Sequence, residues 1–197
     1  MLLSQLTPHP CNSVELEQYT TGGDLAARWL SDIAAFGDLA EGCTVADLGA
    51  GNGVLGLGAL TMGAGRAILV EADEAACDVA RSNTESMGLT DSVEVIHATL
   101  GLDSVDLSSA DVVISNPPWG RQTPRADRPF LEAMIAAATP SHLLHSAEAT
   151  HIKPLFEDAG WSAERHGEAD FALPAAYSHH SRQRGRTRAA FWRLVPP

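Results

Sequence analysis

The feature that most constrains the fold is a strand, a glycine turn and a helix in direct succession. The run Thr44–Gly49 is typical of a buried strand, and it leads into the glycine turn Gly49-Ala50-Gly51-Asn52-Gly53. A helical pattern follows, with Val54, Leu55, Leu57 and Leu60 at its apolar positions. Glycines at such a turn let the backbone approach a ligand at a helix N-terminus. The pattern therefore predicts the opening of a nucleotide-binding α/β unit.

Strand and helix patterns alternate along the rest of the chain, and the last two strands form a pair. We expect the further strands at Ala67–Glu71, Val93–Ala98, Asp111–Ile114, Ser141–Ser146, Trp161–Leu173 and Ala189–Leu194. Helices are predicted from Asp24 (as N-cap) to Phe36, over Asp73–Met87, from about Pro129 to Ala138, and up to Ala159. This order predicts an α/β fold with a doubly wound, seven-stranded, mostly parallel sheet and an antiparallel C-terminal hairpin. We expect one domain over residues 1–197, in which residues 1–14 are a loose lead-in.

Composition and charge narrow the class of protein. The formal net charge of −12 argues against a general nucleic-acid coat protein. Lys153 is the only lysine, and an acidic, nearly lysine-free chain is typical of a salt-accumulating microbe, although high-GC codon bias explains the arginines nearly as well. The three cysteines are isolated, so neither a disulfide framework nor a zinc site is predicted. The sequence has no signal-peptide pattern and no bilayer-spanning apolar run, so we expect a cytoplasmic protein with no membrane contact.

Glu71 is a candidate cofactor ligand, because it ends the second strand twenty residues after Gly51. An acid at this place can accept hydrogen bonds from both ribose hydroxyls of a nucleoside ligand. The alternative is a solvated strand end. The glycine pattern is GxGxG and not GxGxxG, which favours S-adenosylmethionine over a dinucleotide, and we predict that cofactor.

The stretch Asn116-Pro117-Pro118-Trp119 is the candidate catalytic site. It follows the predicted strand Asp111–Ile114, and two prolines end strand pairing because they lack the backbone donor. The Asn116 oxygen and the Pro117 carbonyl can each accept one N–H of an exocyclic amine, while Trp119 stacks on the attached ring. The alternative is an ordinary Pro-Pro loop with a half-buried tryptophan.

Several motifs in this order resemble the methyltransferase-like protein 5 family, in its archaeal type. They are Leu-Glu-Gln-Tyr at 16–19, Val-Ala-Asp-Leu-Gly-Ala-Gly-Asn-Gly-Val-Leu at 45–55, the strand-end acid, Asn-Pro-Pro-Trp-Gly at 116–120 and Leu-Pro-Ala-Ala-Tyr at 173–177. The resemblance implies a Rossmann-like class I methyltransferase. It also implies S-adenosylmethionine-dependent methylation of N6 of an adenosine in small-subunit ribosomal RNA.

The resemblance also implies which residues hold the cofactor. These are Gln18, Tyr19, Thr21, Asp47, Gly49, Gly51, Asn52, Val54, Glu71, Thr99 and Leu100. The chain departs from the family at Thr99, where related enzymes usually place an acid that accepts from the cofactor's adenine amine, and at Thr20, where a proline is common.

Two basic segments predict an RNA-binding rim in this acidic protein. Arg121, Arg125 and Arg128 lie in the predicted loop after the Pro-Pro turn, and the stretch 178–188 carries His179, His180, Arg182, Arg184, Arg186 and Arg188 without an acid. The alternative is a solvated hairpin loop. The other histidines, including His97, His142, His145, His151 and His166, are scattered and are interpreted as packing or surface residues, and no metal is predicted.

The resemblance implies a protein partner, and rival functions stay open. Members of the family commonly act with a small zinc-binding activator protein that pairs with a sheet edge, for which the candidate here is the third strand, Val93–Ala98. The rivals are methylation of a glutamine side-chain amide on a release factor, methylation of guanine N2, and a non-catalytic S-adenosylmethionine-binding scaffold for ribosome assembly. An NAD-binding dehydrogenase fits the first βαβ unit but gives no reason for the Pro-Pro turn.

Overall fold

A computed structural model describes residues 3–10, 21–172 and 186–197. Over these residues the chain forms one sheet with the strand order β3-β2-β1-β4-β5-β7-β6. Its strands are β1 (Thr44–Leu48), β2 (Arg66–Glu71), β3 (Val93–His97), β4 (Val112–Ser115), β5 (Ser141–Ser146), β6 (Ser162–Ala172) and β7 (Arg186–Val195). The first five are parallel, and β7 runs antiparallel to both β5 and β6. The predicted doubly wound sheet with its antiparallel C-terminal pair is confirmed.

Five α-helices cover the two faces of the sheet in the described part of the chain. They are α1 (Gly23–Ala35), α2 (Val54–Thr61), α3 (Glu74–Ser86), α4 (Arg128–Ala137) and α5 (Ile152–Asp158). Because successive side chains of a strand point to opposite faces, Val45 packs with one cluster of buried residues, while Ala46 and Leu48 pack with another. Trp29 and Phe191 belong to the first cluster. Both faces of β1 are therefore covered, which explains its uninterrupted apolar sequence.

Two helix starts differ from the prediction. Asp24 is not the N-cap of α1, because Gly22 occupies that position with an extended backbone, and Asp24 lies in the first turn. There its carboxylate is favourably placed near the positive end of the helix dipole. Arg128 does not lie in the loop but is the first residue of α4. Pro129 lies in the first helical turn, which its fixed φ angle suits, and the helix begins one residue earlier than predicted.

Residues 3–10 are ordered against the domain, which contradicts the predicted loose lead-in. Leu3–Gln5 form a 3₁₀ turn, and Leu6 is buried in the core cluster beside α1. The backbone N–H of Thr7 donates to Oδ1 of Asn83 at 2.8 Å, and Asn83 Nδ2 donates to the Thr7 carbonyl at 3.1 Å. Asn52 Nδ2 also donates to the Thr7 carbonyl, at 2.9 Å, so a polar segment with two prolines is held by two leucines and two distant asparagines.

The register of the central strands brings three segments to one edge of the sheet. Leu48 of β1 lies beside Val70 of β2 and Ser115 of β4. Consequently the glycine turn, Glu71 and Asn116 all follow at the carboxyl ends of adjacent parallel strands, where open α/β sheets bind ligands. None of the helices in the described ranges is both long enough and apolar enough to cross a membrane.

Candidate active site

The glycine turn between β1 and α2 has a backbone that only glycine adopts readily. Gly49, Gly51 and Gly53 have φ angles of 73°, 56° and 83°. The N–H groups of Gly49 and Ala50 both donate to the Val70 carbonyl, at 2.8 and 3.0 Å. These bonds tie the turn to β2 and keep its outer surface open toward the sheet edge.

Asp47 lies beneath this turn and is completely buried. Its Oδ2 accepts a hydrogen bond from the Gly56 N–H of α2 at 2.9 Å, and Oδ1 has no hydrogen-bond partner among the described residues. Burial raises the pKa of Asp47 to about 7, with a further contribution from the negative charge of Glu71. Asp47 therefore holds the start of α2. Among the described residues its Oδ1 is left as an unpaired acceptor on the buried side of the glycine turn.

Glu71 is the strand-end acid, and it is nearly buried at the edge of the glycine turn. One carboxylate oxygen accepts from the Gly51 N–H at 2.8 Å, and the other accepts from the N–H groups of Ala72 and Asp73, both at 2.9 Å. A carboxylate has about four acceptor positions, so these three bonds fix the acid without using its full capacity.

Asn116 follows β4, and two neighbours orient its side-chain amide. Its Nδ2 donates to Oγ1 of Thr21 at 3.0 Å, and its Oδ1 accepts from the indole Nε1–H of Trp119 at 3.1 Å. Thr21 lies just before α1, so the start of that helix is coupled to the Pro-Pro turn. The amide oxygen keeps one of its two acceptor positions after the Trp119 bond is counted.

One small cavity, of about 20 Å³, joins the glycine turn to the Pro-Pro turn. Its lining consists of His9, Thr21, Gly49, Ala50, Gly51, Asn52, Val54, Leu55 and Asn116. Of the predicted cofactor residues, the structure thus brings together Thr21, Gly49, Gly51, Asn52 and Val54, and it brings Asn116 of the predicted catalytic set to the same cavity. Gln18 and Tyr19 lie outside the described residues.

His9 is a residue of this cavity that the sequence analysis missed. A Cβ atom at Gly51 would lie 2.8 Å from Cδ2 of His9, so the imidazole rests directly on the glycine turn. Burial lowers the pKa of His9, although the charges of Glu71 and Asp73 act in the opposite direction. The available signal was a histidine between two prolines, Pro8 and Pro10, a short rigid segment that carries one ring.

Thr99 and Leu100 lie apart from the residues that line this cavity. The Thr99 N–H donates to Oδ2 of Asp103 at 2.8 Å, and Leu100 lines a second cavity of about 570 Å³ together with Asp103, Leu107 and Pro129. An acid therefore lies next to Thr99 after all, supplied by a residue four positions later.

Trp119 is buried and lies among aromatic rings, not half-buried in an open loop. Its ring centroid is 4.9 Å from that of Phe171 and 6.0 Å from that of His145, with the His145 ring nearly parallel to it. The guanidinium carbon of Arg121 lies 5.8 Å from the Trp119 ring centroid. Pro117 is buried and Pro118 is half-buried, so the motif forms part of the domain packing.

Of the predicted RNA-contacting arginines, Arg121, Arg125, Arg128 and Arg188 are exposed, and three of these four have partners. Arg121 donates to Oγ1 of Thr187 at 2.8 Å, Arg128 pairs with Glu132 at 2.7 Å, and Arg188 of β7 pairs with Glu168. Arg125 has a left-handed backbone, with φ of 64°, which is uncommon for a residue with a side chain. His179, His180, Arg182 and Arg184 lie outside the described residues, and Arg186 begins β7.

Asp127, His145 and His151 form a cluster that the sequence analysis did not anticipate. Oδ2 of Asp127 lies 3.1 Å from Nε2 of His145 and 2.5 Å from Nε2 of His151. Burial acts to raise the pKa of Asp127, but hydrogen bonds from the two imidazoles outweigh it and leave the pKa below its ordinary value. No sequence pattern links these three residues, because they come from different elements.

Comparison with known proteins matches residues 25–148 to the methyltransferase small domain family. The chain is 32% identical to the rRNA N(6)-adenosine-methyltransferase METTL5 of Danio rerio, over 92% of this chain and 89% of the relative. It is also 32% identical to an uncharacterized protein of Methanocaldococcus jannaschii, over 93% and 86% of the two chains. Among solved structures, a candidate RNA methyltransferase from Pyrococcus horikoshii superimposes with a TM-score of 0.87 at 31% identity, covering 98% of this chain and 94% of its own.

These similarities agree with the geometry of the site. Two further structures of the same fold, at 17% and 18% identity, contain bound S-adenosylmethionine. The family match begins in α1 and includes the glycine turn, Glu71 and the Asn-Pro-Pro-Trp motif. The chain belongs to the methyltransferase small domain family.

Proposed function

We propose that this protein methylates N6 of an adenosine in small-subunit ribosomal RNA, with S-adenosylmethionine as the methyl donor. The observation that carries the proposal is the cavity in which Asn116 of the Asn-Pro-Pro-Trp motif adjoins the glycine turn. The similarity to METTL5 over nearly the whole chain supports adenosine as the target. The motif that would bind the amino group and the turn that would bind the cofactor therefore line the same cavity, as direct methyl transfer requires.

The residues of the glycine turn fit the cofactor. The Gly49-Ala50-Gly51 part of the turn carries no side chain larger than a methyl group, and the His9 imidazole lies against Gly51, so this ring would have to move for the methionine end to reach the turn. Glu71 retains acceptor capacity for ribose hydroxyls. Val54 and Thr21 complete the wall, and by resemblance Gln18 and Tyr19 add to it from the segment before α1. Asp103 beside Thr99 supplies a carboxylate on the side where the adenine ring is expected, with Leu100 next to it. The sulfonium of S-adenosylmethionine supplies a methyl group that is already electrophilic.

Asn116 and Pro117 would act on the nucleophile. The lone pair of adenine N6 is delocalised into the ring, and acceptance of both N6 protons by Asn116 Oδ1 and the Pro117 carbonyl favours a pyramidal nitrogen. The same two oxygens stabilise the positive charge that develops on N6 during transfer. Because the methylated ammonium is acidic, it can release its proton to water, and no general base is needed. The remaining work is alignment of nitrogen, carbon and sulfur.

Trp119 would stack on the everted adenine, and its neighbours affect that step. The Arg121 guanidinium lies near the indole ring, a cation–π contact worth about 0.5–1 kcal/mol at an exposed site. Stacking of a base on an aromatic side chain is worth about 1–3 kcal/mol. Arg121 also donates to Thr187 and the Trp119 ring is buried, so a base that stacks on the ring must displace the guanidinium from both contacts. The displaced guanidinium would then be available for a phosphate.

The basic rim would position the RNA. Exposed ion pairs such as Arg128–Glu132 contribute about 0–1 kcal/mol, so a phosphate can replace the carboxylate partner at little cost. Arg121 lies near the Trp119 ring, Arg125 and Arg128 line a cavity together with Trp119 and Gly120, and Arg188 is an exposed residue of β7. Phosphate contacts of this kind orient the substrate and do not read its sequence.

The edge strand β3 is the proposed contact for a zinc-binding activator protein. In the described sheet β3 stands at one end of the strand order, so one side of its backbone is available for a further strand. Val93, Val95 and Ile96 are half-buried, and an added strand would cover them further. Co-expression that raises the yield of well-behaved protein would support this partner, and an active, well-behaved monomer would count against it.

The experiment that tests the function combines a deletion strain with single-turnover kinetics. Mass-spectrometric mapping should show that small-subunit RNA from the deletion strain lacks one N6-methyladenosine, and treatment with the purified protein should restore it. Asn116→Ala should abolish transfer and leave S-adenosylmethionine affinity nearly unchanged. Unaltered RNA with methylation of a release-factor glutamine would favour the protein-substrate alternative, and cofactor binding without any transfer would favour a scaffold.

A further inference from the structure

A second group of chemistry-bearing side chains lies beside the proposed active site. Asp127 immediately precedes α4, His145 lies in β5, and His151 immediately precedes α5. Each residue offers one ligand atom, a carboxylate oxygen or an imidazole nitrogen, and these atoms all lie within 4.8 Å of one another. Asp127 and His145 are buried, whereas the side chain of His151 is 51% exposed.

We propose that Asp127, His145 and His151 bind one divalent transition-metal ion, for which Zn²⁺ is the best-matched probe. Two imidazole nitrogens and one carboxylate oxygen are a ligand set that zinc accepts, with ligand distances of about 2.0–2.2 Å. Ligand atoms around a tetrahedral zinc are then about 3.3 Å apart. The observed separations from Oδ2 are 3.1 and 2.5 Å, so the ligands need to separate by less than about 1 Å. The half-exposed His151 can make that shift while the two buried ligands stay in place.

A second aspartate–histidine cluster shows why this one suits a cation. Asp38 lies 2.9 Å from Nε2 of His142, but its two oxygens also accept from Nε and Nη2 of Arg193, at 2.7 and 2.9 Å. A bidentate guanidinium already neutralises that carboxylate, and its fixed charge opposes a metal ion. At Asp127 the convergent groups are two imidazoles, whose Nε2 protons a metal ion can replace.

The fourth coordination position would face a cavity of about 550 Å³. Trp119, Gly120, Pro124, Arg125, Asp127, Arg128 and His151 line it. Arg125 and Arg128 bring positive charge to this cavity, and Glu132 compensates that of Arg128. With three protein ligands, a zinc ion keeps one open position, which water or an oxygen of a bound anion would fill here.

The ion would also fix a ring of the proposed active site. The His145 ring lies nearly parallel to the Trp119 ring at 6.0 Å between centroids, and Trp119 in turn holds Asn116. Coordination of His145 Nε2 would therefore restrict the aromatic platform without any metal contact to the substrate.

The test is metal binding by the full chain after removal of metal with a chelator. Calorimetric titration with Zn²⁺ should give one ion per chain with a Kd in the micromolar range or tighter, and Co²⁺ should give the visible absorption of a tetrahedral site. Asp127→Asn and His151→Ala should each weaken binding at least about tenfold. His97→Ala is the matched control, because that imidazole is exposed, lies on β3 and contacts the Ala72 carbonyl instead.

Absence of stoichiometric uptake would overturn the proposal, as would uptake that survives both substitutions unchanged. Circular dichroism identifies a variant that fails to fold. If Asp127→Asn does so, His151→Ala alone decides, because its side chain is half exposed and its removal leaves the core intact.

Discussion

The indole Nε1–H of Trp119 donates a hydrogen bond to Oδ1 of Asn116, so two residues of the Asn-Pro-Pro-Trp motif orient each other. Thr21 accepts from the other end of the same amide. The amide is therefore oriented with its oxygen on the Trp119 side, because a rotation by 180° would place Nδ2 against the indole N–H, which can only donate, whereas the Thr21 hydroxyl could bond to either end of the amide. In this chain the tryptophan offers a donor in addition to an aromatic face.

Replacement of Trp119 by phenylalanine tests this second contribution. The ring stays, but Asn116 Oδ1 loses a donor, at a cost of about 1–2 kcal/mol. We expect the single-turnover rate of methyl transfer to fall roughly 5- to 30-fold, with S-adenosylmethionine affinity within about twofold of wild type. Rapid-quench transfer assays and calorimetry measure the two quantities.

Trp192→Phe is the matched control for that substitution. Trp192 of β7 is as buried as Trp119, and its Nε1 has no hydrogen-bond partner among the described residues. Its replacement should leave the transfer rate unchanged. A wild-type rate for Trp119→Phe would mean that the indole N–H plays no part in positioning Asn116.

Replacement of Glu71 by glutamine should weaken cofactor binding. The two carboxylate oxygens accept from three backbone N–H groups, and a glutamine NH₂ would face one or two of those donors instead. Hydrogen bonds to a charged group contribute about 1.5–3 kcal/mol, so we expect at least a tenfold rise in the Kd for S-adenosylmethionine. Glu74→Gln, on the exposed first turn of α3, should have no effect. Equal affinities for the two variants would rule out Glu71 as the ribose ligand.

Asn83→Ala should release the segment 3–10 from the domain. The substitution removes two bonds to Thr7 and one to the Asn52 carbonyl, at 3.0 Å, from a buried side chain. A loss of about 2–3 kcal/mol corresponds to a fall of roughly 4–12 °C in Tm for a chain of this size. Limited proteolysis should then cut near the start of the chain, and cofactor affinity should fall because His9 and Asn52 line the cavity.

Thr84→Val provides the comparison for Asn83. Thr84 is its buried neighbour, and among the described residues its Oγ1 bonds within α3, to the Ala80 carbonyl at 2.8 Å. This variant should lose less stability and keep the start of the chain protected. Similar proteolysis of the two variants would show that Asn83 does not hold the segment.

His142 should contribute a loss of stability in acid, against an opposite contribution from Asp47, whose pKa is raised to about 7 in the folded chain. Burial lowers the pKa of His142 from 6.5 to about 4, and the Asp38 carboxylate only partly opposes this. Between these two values the unfolded chain binds a proton that the folded chain does not, so stability falls as pH is lowered through the window from 6.5 to 4. The slope from this one group reaches about 1.4 kcal/mol per pH unit.

Urea unfolding at pH 7 and pH 5 measures this dependence. His142→Gln should flatten it, and the same substitution at the exposed His97 should leave it unchanged. An unaltered pH dependence in His142→Gln would assign the acid sensitivity to other groups.

Substitution of the four late arginines, at 182, 184, 186 and 188, by alanine should weaken RNA binding without loss of cofactor binding. For each lost phosphate contact, the slope of log K against log salt concentration should decrease by about 0.7–0.9. The double substitution Arg66→Ala and Arg81→Ala is the control. Arg66 begins β2 at the amino edge of the parallel strands, and Arg81 lies on α3. Loss of both RNA and cofactor binding would indicate a folding defect.

The sequence was sufficient for the sheet and for the two turns of the site. Buried parallel strands read as continuous apolar runs, and glycine and proline mark the places where a strand must end, so β1, β4 and β5 were located to within a residue or two. Because the strand ends of a parallel sheet meet at one edge, the sequence alone predicts that Gly49, Glu71 and Asn116 lie close together.

Contacts between distant elements could not be predicted in this way. Thr7 meets Asn83 and Asp127 meets His151 through side-chain bonds that leave no periodic pattern in the sequence. The first residues of α1 and α4 could not be predicted exactly, because capping preferences within one turn of backbone differ by about 1 kcal/mol or less. The aromatic packing of Trp119 required Phe171 and His145, which belong to strands far along the chain.

The direction of β7 has a practical consequence for work with this protein. Because β7 is antiparallel to β5, Leu194 lies beside Ser141 at the amino edge of the parallel strands, across the sheet from the glycine turn. A purification tag or fluorophore attached after residue 197 would project away from the cofactor cavity. The same label placed ahead of Leu3 would disturb the segment 3–10, which carries His9. Binding constants obtained with such a fusion would therefore refer to a cofactor cavity with an altered lining.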